Sequence, residues 1–548
     1  MVKSILSLLT VRQTSILSGA IIIMATVVIS KILGLLRDRL LVHNFTPDTV
    51  AIFFAAFRLP DLIFQLLIFG ALSVAFIPVF TEYLEGKGKN EAFQLAGSIL
   101  NLALLILIIV TAVMFLLVEP LTSLIVPGFN PQQQGQVAQL TRIILLGQIV
   151  LTIGSFFIGI LQSFQRFIIP ALAGIFYNLG IILGIVFLGK PLGILGPAVG
   201  VIIGAGLHGL IQLPLVLSLG FKISFSRLLH PGVKDLVQLM SMRTIGLAAE
   251  QVNETVGLIL ASLISTASVT YLTFAQHLQI VPVGLFGATI AQAALPVLST
   301  ERARGRVEEF KSTLLTTIHQ ILFLSLPAAA ILIVLRIPAV RLIFGASQFD
   351  WPSTVLTGKT LAFLSIGLAT QAVSLLLVRG FYALKDTRTP VLVSLVVVAV
   401  DIFLSFYFIR VLNLEVWGLG LAFSISSILS GLLLFLTLHF KVGGFKMSSV
   451  LSPFLKMLMA TMIMGVALYV PIKLLDQVIF DTTRTVNLLI LTSLAFIFAL
   501  SVYVVLVWFM RVKELATFIN LLKHVFGKVR AVGSQVKTEE IIHETETL

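Results

Sequence analysis

The chain has 548 residues, 58% of them hydrophobic and only 11% charged; soluble domains carry about a quarter charged residues, so this is a polytopic membrane protein. Its net charge of +13 lies in short segments beside apolar runs, a placement that reports membrane orientation and excludes nucleic acid as the partner. With no cysteine, disulfides, thiolate nucleophiles and Cys-based metal sites are excluded as well.

A membrane-spanning helix needs about 20 mostly apolar residues, and about fourteen such runs follow one another. In chain order they cover 14–42, 50–81, 92–118, 140–163, 168–189, 193–220, 236–266, 270–299, 313–335, 356–380, 389–411, 415–440, 452–475 and 485–510. The first run is too long for a signal-peptide core and lacks a small-residue cleavage site, so a retained helix is expected. An even number of spans puts both termini on one side. Basic residues crowd the N-terminus, alternate loops and the C-terminal segment, whereas the opposite loops hold only Lys190, Arg336, Arg341, Lys359, Arg410, Lys473 and Arg484. Both termini are therefore expected in the cytoplasm. The tail from Arg511 carries Leu515, Phe518, Ile519, Leu522 and Val525 at helical spacing, which predicts an amphipathic helix on the anionic inner leaflet or a solvated helix.

Two proline landmarks recur. ALSVAFIPVF (Ala71 to Phe80) matches TIAQAALPVL (Thr289 to Leu298) on Pro78 and Pro296, an offset of 218 (296 − 78). The segments around Pro170 and Pro390 repeat at 220 (390 − 170). Nearly equal shifts across an even number of spans predict two six-helix halves in the same orientation, with a cavity between them. Chance recurrence of proline is the competing explanation. The expected organisation is all-α: residues 1–230 and 231–447 as the two halves, 448–510 as two additional transmembrane helices, and 511–548 as a basic cytoplasmic tail.

An ionisable side chain in hydrocarbon costs about 2.5–3.5 kcal/mol on insertion scales, so clustered ones mark a substrate path. Span one offers Lys31, Arg37 and Asp38, with Arg39 able instead to cap a helix end and reach the interface. Span two offers Arg58, Asp61 and Gln65 on one face, with Pro60 loosening the helix among them. The planar guanidinium donates paired hydrogen bonds to phosphate, and lysine adds a point charge. Span seven carries Glu250, Asn253 and Glu254. Two carboxylates one turn apart can share a proton or cation, act as counter-ions to the first-helix cations across the two halves, or be neutralised by Arg243. Gln276 and His277 in span eight are cavity-lining candidates, the histidine alternatively a packing residue. Asp401, with Ser405 one turn on and Ser424 and Ser426 in the next helix, is a candidate cation site because hard cations take oxygen ligands. His208 and His319 are expected to have no carboxylate company and read as structural. No loop is long enough for a catalytic domain, and no phosphate-cradling loop, zinc motif or nucleophile elbow occurs, so an enzyme is not expected.

In its motifs SKILGLLRD (Ser30 to Asp38), FFAAFRLPD (Phe53 to Asp61), GALSVAFIPVFTEY (Gly70 to Tyr83), PVGLFGATIAQAALPVLS (Pro282 to Ser299) and GFYALKDTRTP (Gly380 to Pro390), the chain resembles the MurJ/MviN family of lipid II flippases. That family sits within the multidrug, oligosaccharidyl-lipid and polysaccharide exporters. The resemblance covers essentially the whole chain. It implies a multi-pass protein of the bacterial cytoplasmic (inner) membrane that moves an undecaprenyl-pyrophosphate-linked peptidoglycan precursor, lipid II, from the inner to the outer leaflet by alternating access. Membrane lipids and a coupling cation are the other implied partners, and no cofactor is implied. Carried over by position, Arg37 and Asp38 match the family's Arg-Asp pair, Lys31 replaces an arginine, and Arg58 keeps a basic position. The chain departs from the family where Phe64, Gln65 and His277 stand for arginines, and where Phe69 and Ile280 stand for acids. An exporter of another lipid-linked oligosaccharide, or a cation-coupled multidrug exporter, is the alternative.

Overall fold

The computed structural model describes residues 16–69, 76–222, 230–476, 480–482 and 484–519; within its helices, the side chains of 16–25, 27, 68–69 and 235–245 are outside the description. Phe69, Arg243, Leu522 and Val525 therefore fall outside the described side chains. The described chain is helical throughout: α1 (Ile16–Asn44), α2 (Pro47–Phe64), α3 (Ile77–Gly86), α4 (Lys89–Ile125), α5 (Pro131–Ser163), α6 (Ile168–Leu183), α7 (Leu195–Leu210), α8 (Gly232–Ile264), α9 (Thr266–Pro282), α10 (Thr289–Ala303), α11 (Val307–Val334), α12 (Arg336–Phe344), α13 (Trp351–Ile366), α14 (Leu368–Ala383), α15 (Arg388–Phe406), α16 (Trp417–Lys441), α17 (Met447–Leu475) and α18 (Thr485–Phe509), with short helical turns between some of them. Among the described residues twelve helical stretches are long and apolar enough to cross a membrane, or thirteen with the bent pair α13–α14. A bilayer offers no water to unpaired amides, which is why the described spans are helical.

Residues 1–281, 336–367 and 385–434 form one compact unit; 282–335, 368–384 and 435–548 form a second. In the first unit, α5 packs against α2, α4 and α7, α6 packs against α1 and α7, and α8 packs against α15. Glycine allows the α6–α7 approach: a Cβ on Gly180 would collide with the Gly204 backbone, and one on Gly200 would lie 2.9 Å from Gly184 Cα. Without a hydrophobic force between helices in lipid, such close backbone packing is what holds them. Nearer one end, Phe76, Phe80, Phe156 and Phe221 are fully buried in one cluster. In the second unit α11 packs against α10, α14 and α17, and α17 against α18. There Tyr503 donates its hydroxyl to the Phe323 carbonyl at 2.9 Å.

The run expected as a single span over 356–380 is broken. Helices α13 and α14 meet at Gly367 with a 44° bend. Ser424 of α16 causes it: its hydroxyl accepts the Gly367 amide at 2.9 Å and faces the Leu364 carbonyl at 3.1 Å. A side chain inserted into the helical ladder kinks it, and a Cβ on Gly367 would stand 2.8 Å from Ser424 Cα. Ser424 is thus engaged at this break.

Local geometry repeats along the chain at the interval of the proline landmarks. Left-handed residues pair as Gly88 with Gly305, Gln165 with Lys385, Gly193 with Asn413, and Gly220 with Gly443, at offsets of 217 (305 − 88), 220 (385 − 165), 220 (413 − 193) and 223 (443 − 220). The α5 N-cap Asn130 and the α13 N-cap Asp350 both take the amide three residues on, at 2.8 and 2.9 Å, and are 220 apart (350 − 130). Five-residue π-helical turns at Gln65–Phe69 and Gly184–Leu188 answer to π-helical turns at Val283–Ala288 and Tyr407–Val411. Turn geometry of this kind is set by local backbone demands, so its recurrence is independent of the prolines.

The start of the tail is docked rather than free. Val512 and Leu515 are buried, Phe518 lies 6.0 Å from Phe323, and Glu514 pairs with His319 at 3.4 Å. This corrects two expectations for the described part, residues 511–519: it packs on α11, and His319 has a carboxylate partner. Lys456 adds a hydrogen bond to the Met510 carbonyl at 3.0 Å.

Candidate functional site

The intramembrane charges meet in the first unit, in two clusters. Asp38 of α1 has 1% of its side chain exposed. Its Oδ1 accepts Arg37 Nε at 3.0 Å and Nη2 at 2.8 Å, and its Oδ2 faces His277 Nδ1 of α9 at 2.6 Å. The spare Nη1 of Arg37 reaches Asn178 Oδ1 of α6 at 3.3 Å, and Asn178 in turn donates to the Gly174 carbonyl at 3.1 Å. A buried carboxylate is tolerable only when charge-assisted bonds replace its hydration. His277 is 34% exposed and its ring stands edge-on to Phe54, with centroids 5.8 Å apart.

Arg58 of α2 forms the second cluster. It is 9% exposed, and four bonds bind it to one turn of α8. Nη1 donates to Glu254 Oε2 at 2.6 Å, Nε to Thr255 Oγ1 at 3.0 Å, and Nη2 to the Gln251 carbonyl at 2.9 Å and side chain at 2.5 Å. The geometry uses the fixed fork of arginine, which lysine cannot copy. Glu254, 53% exposed, pairs with this span-two cation and not with the first-helix cations expected from the sequence. Near it on α2, Asp61 accepts Gln148 Nε2 of α5 at 3.2 Å.

Asn253 carries the network on to α15, donating Nδ2 to Asp401 Oδ2 at 2.7 Å. Ser405 and Ser426 are buried too. Among the described residues no group of three or more His, Asp or Glu side chains is spaced to hold a metal. Lys31, Glu250 and Gln276 are exposed and Gln65 is half-buried; Glu250 stands one turn from Glu254 and feels its charge, and no hydrogen bond among the described residues ties Lys31, Gln65 or Gln276 to the clusters. Arg39 takes the alternative course, donating to the carbonyls of Leu342 and Ile343 at 2.7 and 3.2 Å at the end of α12, where a cation meets the negative helix terminus. His208 packs beside Gly154.

Sequence reasoning missed Asn178, Gln148 and Thr255. Each is a polar residue inside an apolar run, and that signal was available. Their partners were not, because Asn178 lies 141 residues from Arg37 and Gln148 lies 87 from Asp61.

A multi-helix membrane chain with paired charges gathered inside its spans belongs to the transporters, and the same fold appears among the multidrug and oligosaccharidyl-lipid exporters. An inward-facing multidrug transporter of the MATE family superposes with a TM-score of 0.65 at 14% identity, over 77% of this chain and 98% of that one. A structure of lipid II flippase MurJ in an inward closed conformation gives 0.75 at 24% identity, over 90% and 99%. The probable lipid II flippase MurJ of Rhizobium meliloti (strain 1021) is 29% identical over 454 residues, 81% of this chain and 84% of that protein. The family model for lipid II flippase MurJ matches residues 45–480, and the chain belongs to that family.

Proposed function

We propose that this protein flips lipid II, the lipid-linked peptidoglycan precursor, from the inner to the outer leaflet of the bacterial cytoplasmic membrane by alternating access. The observation that carries the proposal is the Arg37–Asp38–His277 cluster. Three helices hold a guanidinium and an imidazole on one buried carboxylate. A pyrophosphate can replace that carboxylate as the partner of Arg37, and Arg58 can exchange Glu254 for it in the same way. Charges that trade partners give the protein two discrete arrangements, which alternation requires. Phe64, Gln65 and Ile280 replace family charges, so recognition rests on Arg37, Arg58, His277 and the exposed Lys31, with Asp61, Gln65, Glu250, Asn253, Glu254 and Gln276 as the surrounding polar surface.

The fourteen-helix reading adds α1 to the thirteen spans above. Two six-helix halves, 1–230 and 231–447, two further helices within 448–510 and the tail 511–548 are supported by the repeated turn geometry. The excess of Lys and Arg on alternate loops puts both termini in the cytoplasm. Asp401, hydrogen-bonded to Asn253 on the helix that also holds Arg58's partners, is our candidate for the coupling-cation position. A multidrug exporter is the second reading, favoured by the MATE likeness and opposed by the concentration of basic side chains at the site.

The experiment replaces the resident lipid II flippase of a bacterium with this chain and assays outer-leaflet lipid II. Restored exposure that is lost in Arg37→Ala supports the assignment. Arg37→Ala and Arg58→Ala chains that flip as well as the parent, at equal membrane levels, would refute it. A stably inserted chain that restores nothing moves the assignment to another lipid-linked substrate.

A further inference from the structure

A second charged site lies in the other unit, away from the two clusters above. The first turns of α11, the segment joining α16 to α17, the start of α17 and the beginning of the tail enclose a cavity of about 1110 Å³. Lys311, Lys446, Lys456, Arg511 and Lys513 line it against two carboxylates, Glu308 and Glu514. Both acids are already engaged: Glu308 takes Lys311 at 2.9 Å and Glu514 takes His319 at 3.4 Å. Lys456 gives a bond to the Met510 carbonyl. Lys446, Arg511 and Lys513 form no ion pair among the described residues. Among the described residues the lining therefore carries five Lys and Arg side chains against two carboxylates.

A separate observation points to a ligand. His319 lines the cavity, is 7% exposed, and its Nε2 has no hydrogen-bond partner among the described residues. A buried polar atom left unpaired costs about 1–3 kcal/mol, a cost that an oxygen-rich anion bonded at Nε2 removes while Nδ1 faces Glu514. The cavity also receives the N-terminus of α17, 29 residues long and without a side-chain cap, together with the hydroxyls of Ser448 and Ser449. Free amides and hydroxyls beside cations are phosphate-binding chemistry. Arg511 sits at φ +54°, closing α18 through Arg511 N to Trp508 O and Val512 N to Val507 O, a place where glycine is the usual residue.

We propose that this cavity binds a phosphate-bearing anion, with Lys446, Arg511, Lys513 and His319 as its ligands. The apolar side chains of Phe440, Met447 and Leu451 next to it are exposed, which fits the phosphate of an anionic phospholipid whose chains lie along α16 and α17. A soluble phosphate offers the same oxygens. The proposal is independent of which substrate the protein transports, and its test reads binding only.

The test uses the purified full-length chain with Lys446→Gln and Arg511→Gly. Glycine suits the left-handed backbone, so Arg511→Gly removes a ligand without straining the fold. In nanodiscs of mixed phosphatidylglycerol and phosphatidylcholine, native mass spectrometry of the released protein should show phosphatidylglycerol retained preferentially. Each substitution should weaken that retention by about tenfold, the loss of one charge-assisted contact. Thermal stabilisation by inorganic phosphate in detergent, lost in the same variants and without lipid preference, identifies a soluble anion instead. Equal retention and equal phosphate response in the parent and in Arg511→Gly overturn the site, whether or not Lys446→Gln folds.

Discussion

Arg58 and Asp38 solve one problem in different ways. Each is a charged group withdrawn from solvent, but Asp38 shares its two oxygens between Arg37 and His277, whereas Arg58 spends four bonds on a single turn of α8. Arg58→Lys keeps the charge and loses the fork. Lysine can follow Glu254 but cannot reach Thr255 and both Gln251 acceptors together, so the variant should be less stable by about 1–3 kcal/mol. A thermal unfolding midpoint in detergent that matches the parent would mean that these bonds do not hold α2 to α8. At Asp38 the expectation concerns transport. Asp38→Asn removes the charge on which Arg37 and His277 converge, and outer-leaflet lipid II should fall to the level of the empty vector while the protein remains in the membrane.

At the scale of elements, what was legible and what was not follows from the range of the cause. Twelve or thirteen of the spans were legible because apolar runs act on their own neighbourhood, and Pro78 and Pro296, and Pro170 and Pro390, mark an interval that the paired left-handed residues also keep. The bend at Gly367 was not legible, because its cause is Ser424, 57 residues away, and the apolar run itself is uninterrupted. Gln165 and Lys385 were missed as left-handed positions for a related reason. Neither residue type announces φ near +58°, and only the turn geometry demands it. The candidate charges at Arg37, Asp38, Arg58, Glu254 and His277 could be named from sequence, whereas their pairing could not.

Packing makes the α6–α7 contact testable. Gly200→Val would push two methyl groups towards Gly184 Cα and the Gly180 carbonyl, which a Cβ alone would approach to 2.9 and 3.0 Å. Overpacking of this kind costs about 1–3 kcal/mol. A lowered unfolding midpoint is expected for Gly200→Val, with Gly206→Val unchanged because a Cβ there meets nothing. The docked tail offers a pH test. Burial alone would raise the Glu514 pKa, but the hydrogen bond to His319, a backbone amide and the charges of His319 and Lys513 outweigh it, and the carboxyl is held below the usual glutamate range. A depressed folded pKa stabilises docking above the free value of about 4.3, and that contribution is lost as pH falls through the lower folded value. Glu514→Gln removes it at neutral pH. Hydrogen exchange over residues 512–519 should therefore quicken in Glu514→Gln at pH 7, and in the parent only under strong acid; unchanged protection in the variant would show that Leu515 and Phe518 hold the tail unaided.

For the whole molecule the open quantity is the work that drives export. Each negative charge carried outward across an inside-negative membrane gains about 2.3 kcal/mol per 100 mV, and a pyrophosphate-linked substrate carries such charge. The coupling cation proposed at Asp401, which is bonded to Asn253, would be a second lever, bound in one state and released in the other. The two levers separate by experiment, because the potential acts on the substrate and the cation acts on one carboxylate. Collapse of the potential should slow the appearance of outer-leaflet lipid II in the parent and in Asp401→Asn alike. Removal of an ion gradient at constant potential should slow the parent alone. If Asp401→Asn still responded to the gradient, the cation would bind elsewhere. If neither condition slowed the parent, the charge exchange at Arg37 and Arg58 would have to run on substrate concentration alone, and the paired acids would serve only to close the empty site.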